Sequence, residues 1–146
     1  MTRFVQSVVV NAPVAEVFAF HERDDALELL SPGFPPARIV SRTGGIRPGA
    51  RVVLRIGPVK WVALHGEFIP NLLFTDEQES GPFARWSHRH EFEDLGDRTR
   101  LTDRIEYELP GGAAVTSCLG WAFNIGLRRM FDHRHRVTRE FCERNQ

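Results

Sequence analysis

The 146-residue chain carries 19 acidic and 19 basic residues, so its formal net charge is zero and no global field draws it to nucleic acid. A content of 42% hydrophobic and 26% charged residues is that of a folded globule with room for one core, which argues for a single domain over residues 1–146. No apolar run approaches the roughly 20 residues that span a bilayer. The opening MTRFVQSVVV lacks the pattern of a signal peptide, so a cytoplasmic location is the expectation.

Residues 4–10 alternate as a strand. Asn11-Ala12-Pro13 then opens a helix that runs to about His21, because Asn caps well and Pro fits a first turn. Val14, Val17 and Phe18 share its apolar face. A second short helix is predicted over 24–30 and stops at Ser31-Pro32. Residues 31–36, rich in proline, read as a loop that places Phe34 at the mouth of any cavity. From residue 37 the chain punctuates itself with turn pairs. Strands are predicted at 37–43, 50–56, 59–69, 72–79, 84–93 and 98–109. Between them lie Gly44-Gly45 and Pro48-Gly49, then Gly57-Pro58, Pro70-Asn71, Gly81-Pro82 and Leu95-Gly96-Asp97. This spacing fits one antiparallel sheet.

The last 30 or so residues change period. Leu119, Phe123, Leu127, Met130, Val137 and Phe141 form a stripe on a helix over 115–144, about 45 Å long. A sheet with one wet face must bury the other, and this helix is the only element large enough to cover it. The expected fold is α+β: a curved antiparallel sheet of about seven strands wrapped around a long C-terminal helix, with two short helices after the first strand and a cavity between the layers. Residues 118–127, from Cys118 to Leu127, are apolar almost all round. They must be covered on two sides or present a surface to a partner, such as a second copy in a homodimer. Cys118 and Cys142 would sit roughly 36 Å apart along the helix, too far to pair.

The chain resembles the START-like, or SRPBCC, superfamily: the helix-grip fold of polyketide cyclases, lipid-transfer domains and plant pollen-allergen proteins. The entry segment VVVNAPVAEVFAFHER looks like that family's opening strand and helix. GPFARWSHRHEFED, TRLTDRIEYELPGG and MFDHRHRVT resemble a bacterial branch of it. The resemblance implies a cavity for a small apolar molecule. It does not imply one activity, since the superfamily hosts binders, transporters, cyclases and regulatory domains.

The chemistry concentrates in ARWSHRHEFED, residues 84–94. Strand side chains alternate faces, so Trp86, His88, His90 and Phe92 point one way while Arg85, Ser87, Arg89, Glu91 and Glu93 point to water. The next strand turns Thr99, Leu101, Asp103, Ile105, Tyr107 and Leu109 inward. A hairpin at 95–97 puts Asp103 across from His90 or His88, within reach of both. On the long helix, Arg134 falls inside the apolar stripe between Met130 and Val137, with His133 flanking the stripe and His135 further off it. A guanidinium turned to a core needs an acidic partner. Asp103 is the first choice, with Asp76 and Glu67 as others. The expected pocket is lined by Trp86, His88, His90, Asp103, Tyr107 and Met130, with Arg134 completing the polar group.

Four readings of that group stay open. It is a satisfied structural network; it recognises a carboxylate or hydroxyl on a mainly apolar ligand; it is an acid–base pair, with His88 or His90 as base and Asp103 orienting it; or His-x-His with a carboxylate holds a metal. The last is disfavoured, because Arg134 would repel a cation, and no metal or cofactor is expected. The favoured function is binding, for transport or sensing, of a small and mainly apolar molecule. The alternatives are a cyclase- or dehydratase-like enzyme in the same cavity, or a protein-interaction module.

Overall fold

The computed structural model describes residues 2–31 and 37–144. The chain runs β1 (Thr2–Val10), α1 (Val14–His21), α2 (Ala26–Leu30), β2 (Ala37–Thr43), β3 (Arg51–Ile56), β4 (Val59–Ile69), β5 (Leu73–Ser80), β6 (Arg85–Asp94), β7 (Thr99–Glu108) and α3 (Ala113–Glu143). Phe34, expected at a cavity mouth, lies outside the described residues. The seven strands form one antiparallel sheet in the order β1-β7-β6-β5-β4-β3-β2. Strand β1 closes onto β7, so the first and last strands are neighbours, and α3 returns across the sheet. Register shifts between Ile39 and Ser41 and between His65 and Phe68 bend the β2–β5 half. No helix among the described residues is long and apolar enough to cross a membrane.

Asn11 is not the cap of α1. Its backbone N–H donates to Glu143 at the far end of α3 (2.9 Å), and Pro13 in extended conformation occupies the cap position with no side chain bonding there.

Three contacts fix where α3 begins and how it lies. Gly111 and Gly112, both at positive φ, reverse the chain after β7. The Thr116 hydroxyl donates to the Gly112 carbonyl and accepts the Leu109 N–H, each at 2.8 Å. The Tyr107 hydroxyl on β7 donates to the Gly120 carbonyl at 3.0 Å and lies against the Asn124 side-chain amide. A Cβ at Gly120 would press on Thr2 Oγ1 at 3.3 Å, a tight contact that a small shift of the Thr2 side chain would have to relieve.

The face α3 buries differs from the predicted stripe. Its buried residues are Thr116, Gly120, Leu127, Phe131, His135, Thr138 and Cys142, while Leu119 is 53% exposed. The helix is turned by less than one residue step from the face that apolar spacing marks. Trp121 and Ile125 join Leu119 in the solvent, leaving an apolar outer face within residues 118–127. Both cysteines are free, Cys118 exposed and Cys142 buried.

Two apolar clusters result. One, at the α1 end, gathers Val10, Val17, Phe18, Phe20, Leu30, Phe74, Phe92, Leu101 and Cys142. The other gathers Phe4, Trp86, Ile105, Tyr107, Leu109, Leu127 and Phe131. Along β6, β7 and α3 alike, the residues between the clusters are polar.

Because Tyr107 is fully buried, its hydroxyl links the sheet to the first half of α3. Tyr107→Phe should lower stability by about 1–2 kcal/mol in urea denaturation, the cost of the lost buried hydrogen bonding to Gly120 and Asn124. A change below a few tenths would mean the link contributes nothing.

Candidate functional site

Asp103 stands at the centre of the polar layer. It pairs with His90 across the β6–β7 ladder, which settles the open register, and His88 is its diagonal neighbour. Its Oδ1 accepts from His88 Nε2 at 2.8 Å and lies 3.1 Å from His90 Nδ1. Its Oδ2 accepts from His135 Nε2 on α3 at 2.6 Å. His90 in turn donates through Nε2 to Asp76 on β5, at 3.0 Å. Asp76 is paired with His88 in the β5–β6 ladder and with His65 in the β4–β5 ladder. The rings of His88 and His90 stack at 3.7 Å, and Phe74 covers the other face of His90 at 3.9 Å. Five of the six histidines are buried: His21, His65, His88, His90 and His135.

Burial opposes ionisation of Asp103, yet hydrogen bonds from His135, His88 and His90 hold its carboxyl well below the usual range. Asp76 shows the same balance: burial raises it, the His90 hydrogen bond and the nearby imidazoles outweigh that, and it falls to about 2. For His90, burial pulls down but the bonds to Asp103 and Asp76 win, and its pKa is raised. A carboxylate at each ring nitrogen favours its protonated form. His88 goes the other way, lowered by burial and by the charge of His90, with Asp103 offsetting only part. Burial lowers His21, on α1, to about 4, while its Nδ1 donates to the Val17 carbonyl.

The expected pairing of Arg134 with Asp103 does not form. Arg134 makes no ion pair among the described residues, and its Nε is buried without a partner. Its guanidinium lies over the Phe131 ring at 5.3 Å. The reason is the rotation of α3: His135, rather than Arg134, meets the carboxylate. His135 Nε2 donates to Asp103, and its Nδ1, which carries a lone pair in the neutral ring, too has no partner. Sequence reasoning set His135 aside as off the stripe. The spacing of Phe131, His135, Thr138 and Cys142 is itself a helical face and carried the signal.

Beside these two residues lies a void of about 20 Å³, lined by His21, Leu30, His90, Leu101, Asp103, Phe131, Arg134, His135 and Thr138. That is room for about one water. His90, Asp103 and Arg134 of the expected pocket line it. His88, Trp86, Tyr107 and Met130 do not: His88 is stacked on His90, and the other three pack in the second apolar cluster with Phe83 and Phe123. A larger hollow of about 290 Å³ is a surface groove between α1 and the end of α3, walled by Phe20, Arg23, Phe141 and Cys142 and remote from the Asp103 network.

Two expectations follow. Asp103→Asn deprives three imidazoles of their acceptor and should cost roughly 3–5 kcal/mol, whereas Arg134→Met should cost under about 1 kcal/mol. Chemical denaturation ranks them, and the opposite order would restore Arg134 as the carboxylate's partner. The second concerns pH. His21 has a folded pKa of about 4 against 6.5 when free, so the unfolded chain binds more protons between those values. Stability should therefore fall as pH drops from 6.5 to 4, by roughly 3 kcal/mol from His21 alone. His65 and His88 act in the same direction. His90, being raised, contributes stability that is full below 6.5 and lost as pH rises through its folded value. His21 faces His90, Asp103 and His135, so His21→Phe should flatten the acid limb without moving the alkaline one. Urea titrations from pH 8 to pH 4 provide the check, and an unchanged acid limb in the variant would refute it.

No curated protein matches the sequence. Solved structures do match the fold. A START superfamily protein from Mycobacterium smegmatis shares 16% identity with a TM-score of 0.67, over 99% of both chains. An aromatase/cyclase from Streptomyces sp. R1128 shares 14% with a TM-score of 0.73, over 98% of this chain and 94% of that one. A nucleoside-diphosphate sugar epimerase from Corynebacterium glutamicum shares 26% with a TM-score of 0.73; 94% of this chain corresponds to 28% of that one. The match of residues 10–145 to the family model described as polyketide cyclase / dehydrase and lipid transport establishes that the chain belongs to that family, and its sheet gripping α3 has the fold of these solved structures.

Proposed function

We propose that this protein binds a small, mainly apolar molecule between the sheet and α3 and holds a hydroxyl or enol of that molecule at Arg134 and His135. The observation that carries the reading is the pair of unpartnered buried atoms, Arg134 Nε and His135 Nδ1, on residues that both line the interior void. Buried polar atoms are rarely left without partners, so two at one void call for an occupant. The occupant's chemistry is set by their roles. Nε can only donate, and Nδ1 accepts while Nε2 donates to Asp103. A hydroxyl oxygen accepts from the first and donates to the second. The apolar walls, Leu30, Leu101 and Phe131, would flank a hydrocarbon or aromatic body once the void, now the size of one water, opens to admit it. The family's range, cyclases and lipid carriers, contains molecules of that kind.

Acid–base catalysis is the second reading, and one observation favours it. Asp103, at 2.6 Å from His135 Nε2, fixes the tautomer and leaves Nδ1 as an oriented base beside a guanidinium able to stabilise an enolate. His135 then takes the role that sequence reasoning gave to His88 or His90. Both ring nitrogens of His90 face carboxylates, and His88 lies stacked beneath it.

Native mass spectrometry of the purified protein, followed by calorimetry with phenolic polyketides and with hydroxyl-free hydrocarbons of equal size, tests the proposal. The phenolic compounds should bind, and His135→Gln and Arg134→Met should each weaken them about tenfold, equivalent to roughly 1.4 kcal/mol. Equal affinity for hydroxylated and hydroxyl-free probes would overturn it. A product formed by the wild type and lost in His135→Gln, with binding retained, would select the enzyme reading.

A further inference from the structure

We infer that Asp76, His88 and His90 form a binding site for one divalent transition-metal ion of the zinc class. One donor atom from each of the three lies within 4.8 Å of the other two. The three residues are directly paired or adjacent across β5 and β6: Asp76 opposes His88, and His90 is two residues further along the same face. Two imidazoles and one carboxylate are the donor set that borderline divalent ions prefer, and a tetrahedral ion places its donors about 2.0–2.2 Å away with one position left open. An ion bound there replaces the proton that His90 Nε2 shares with Asp76.

The surroundings already have the arrangement of an outer shell. Asp103 Oδ1 contacts His88 Nε2 and His90 Nδ1 at 2.8 and 3.1 Å, so a single carboxylate orients both imidazoles through one nitrogen each. The remaining nitrogen of His90 faces Asp76, and His88 keeps Nδ1. A carboxylate behind a ligating histidine is the usual way a metal site fixes tautomer and ring direction. Asp76 retains 16% side-chain exposure and His90 10%, which gives an ion a way in and leaves a side open for a fourth ligand.

Charge is compatible with this placement. The objection raised by the sequence was that Arg134 would repel a cation; Arg134 lies within the field of both carboxylates, whose two negative charges offset that repulsion. Asp76 and Asp103 contribute two negative charges, the ion two positive and Arg134 one. The site is therefore completed by an anionic fourth ligand, such as hydroxide or a carboxylate. Of the three ligands only His90 also lines the void beside His135, and the inference does not rest on the binding reading above.

The test uses chelator-stripped full-length protein titrated with Zn2+ by calorimetry and with Co2+ by visible absorption. One ion per chain is expected, with a ligand-field spectrum of a four- or five-coordinate Co2+. Asp76→Asn and His90→Gln should each lower affinity at least tenfold, and Asp103→Asn by roughly 10–100-fold. His133→Gln, which alters a histidine outside the cluster, should leave it unchanged. Circular dichroism checks each variant for folding. If the substitutions prevent folding, the ring nitrogen resonances of His88 and His90 in the wild type decide: they should shift on Zn2+ addition while that of His133 stays. No stoichiometric ion, affinity that survives both Asp76→Asn and His90→Gln, or unmoved His88 and His90 resonances would overturn the assignment.

Discussion

Burying one carboxylate between a sheet and a helix sets the geometry of everything around it. A lone ionised Asp in such a place costs several kcal/mol, and the cost is offset only when its lone pairs are all met. Asp103 meets them with imidazoles from two layers: His88 and His90 from its neighbouring strand and His135 from α3. The first two are local consequences of hairpin register. The third holds only if α3 has one rotation about its axis and one position along it. That rotation then carries Leu127 and Phe131 into one apolar cluster and Cys142 into the other. It also turns Leu119 to solvent. A hydrophobic face alone would tolerate a slide or a partial turn of the helix, while a carboxylate with three fixed donors does not.

The same layer explains why the interior is balanced although four charged groups meet there. Asp76 and Asp103 are held in their ionised form, the His90 imidazole between them is shifted toward its protonated form, and Arg134 lies within their field without bonding to either. The sum is near neutral, which lowers the cost of keeping them from water. The imidazoles next to this group respond according to place. His88 is suppressed by the adjacent His90 charge, and His21 by burial among aromatic rings.

Much of the fold was legible because strand period and turn residues report local physics. The turn pairs bounded the strands to within a residue or two, and the strict alternation in ARWSHRHEFED assigned each side chain to its correct face. The register of the 85–108 hairpin was open because the facing argument needs only parity, whereas register depends on the turn. The helix rotation was missed for a different reason. Apolar spacing records which residues avoid water, but Thr116, His135 and Thr138 are buried by virtue of partners that sequence does not display: the Leu109 N–H, the Asp103 carboxylate and the Arg134 carbonyl. Arg134 shows the converse. It sits in the apolar stripe, yet its nearest expected acid was already taken by three imidazoles. Pocket dimensions were equally out of reach, since they depend on how Trp86, Tyr107 and Met130 fill the space left at the wide end of the sheet.

The void's size bears on how a ligand would enter. At about 20 Å³ it accommodates a water between Arg134 and His135, and nothing with an apolar body. Of its walls, His90, Leu101 and Asp103 belong to the sheet, and Phe131, Arg134, His135 and Thr138 belong to the helix that Asp103 and Tyr107 tie down. Moving either would break the buried carboxylate's shell. The remaining walls are His21 at the end of α1 and Leu30 at the end of α2. His21 is held by a hydrogen bond within its own helix and by rings on two sides. Leu30 is the last residue of a five-residue helix with no side-chain cap at its N-terminus, too short to be stable without its packing on α1 and α3. On the binding reading, the route that costs least therefore runs past Leu30. A ligand entering there would exchange the apolar contacts of α2 for its own and keep the Asp103 network intact.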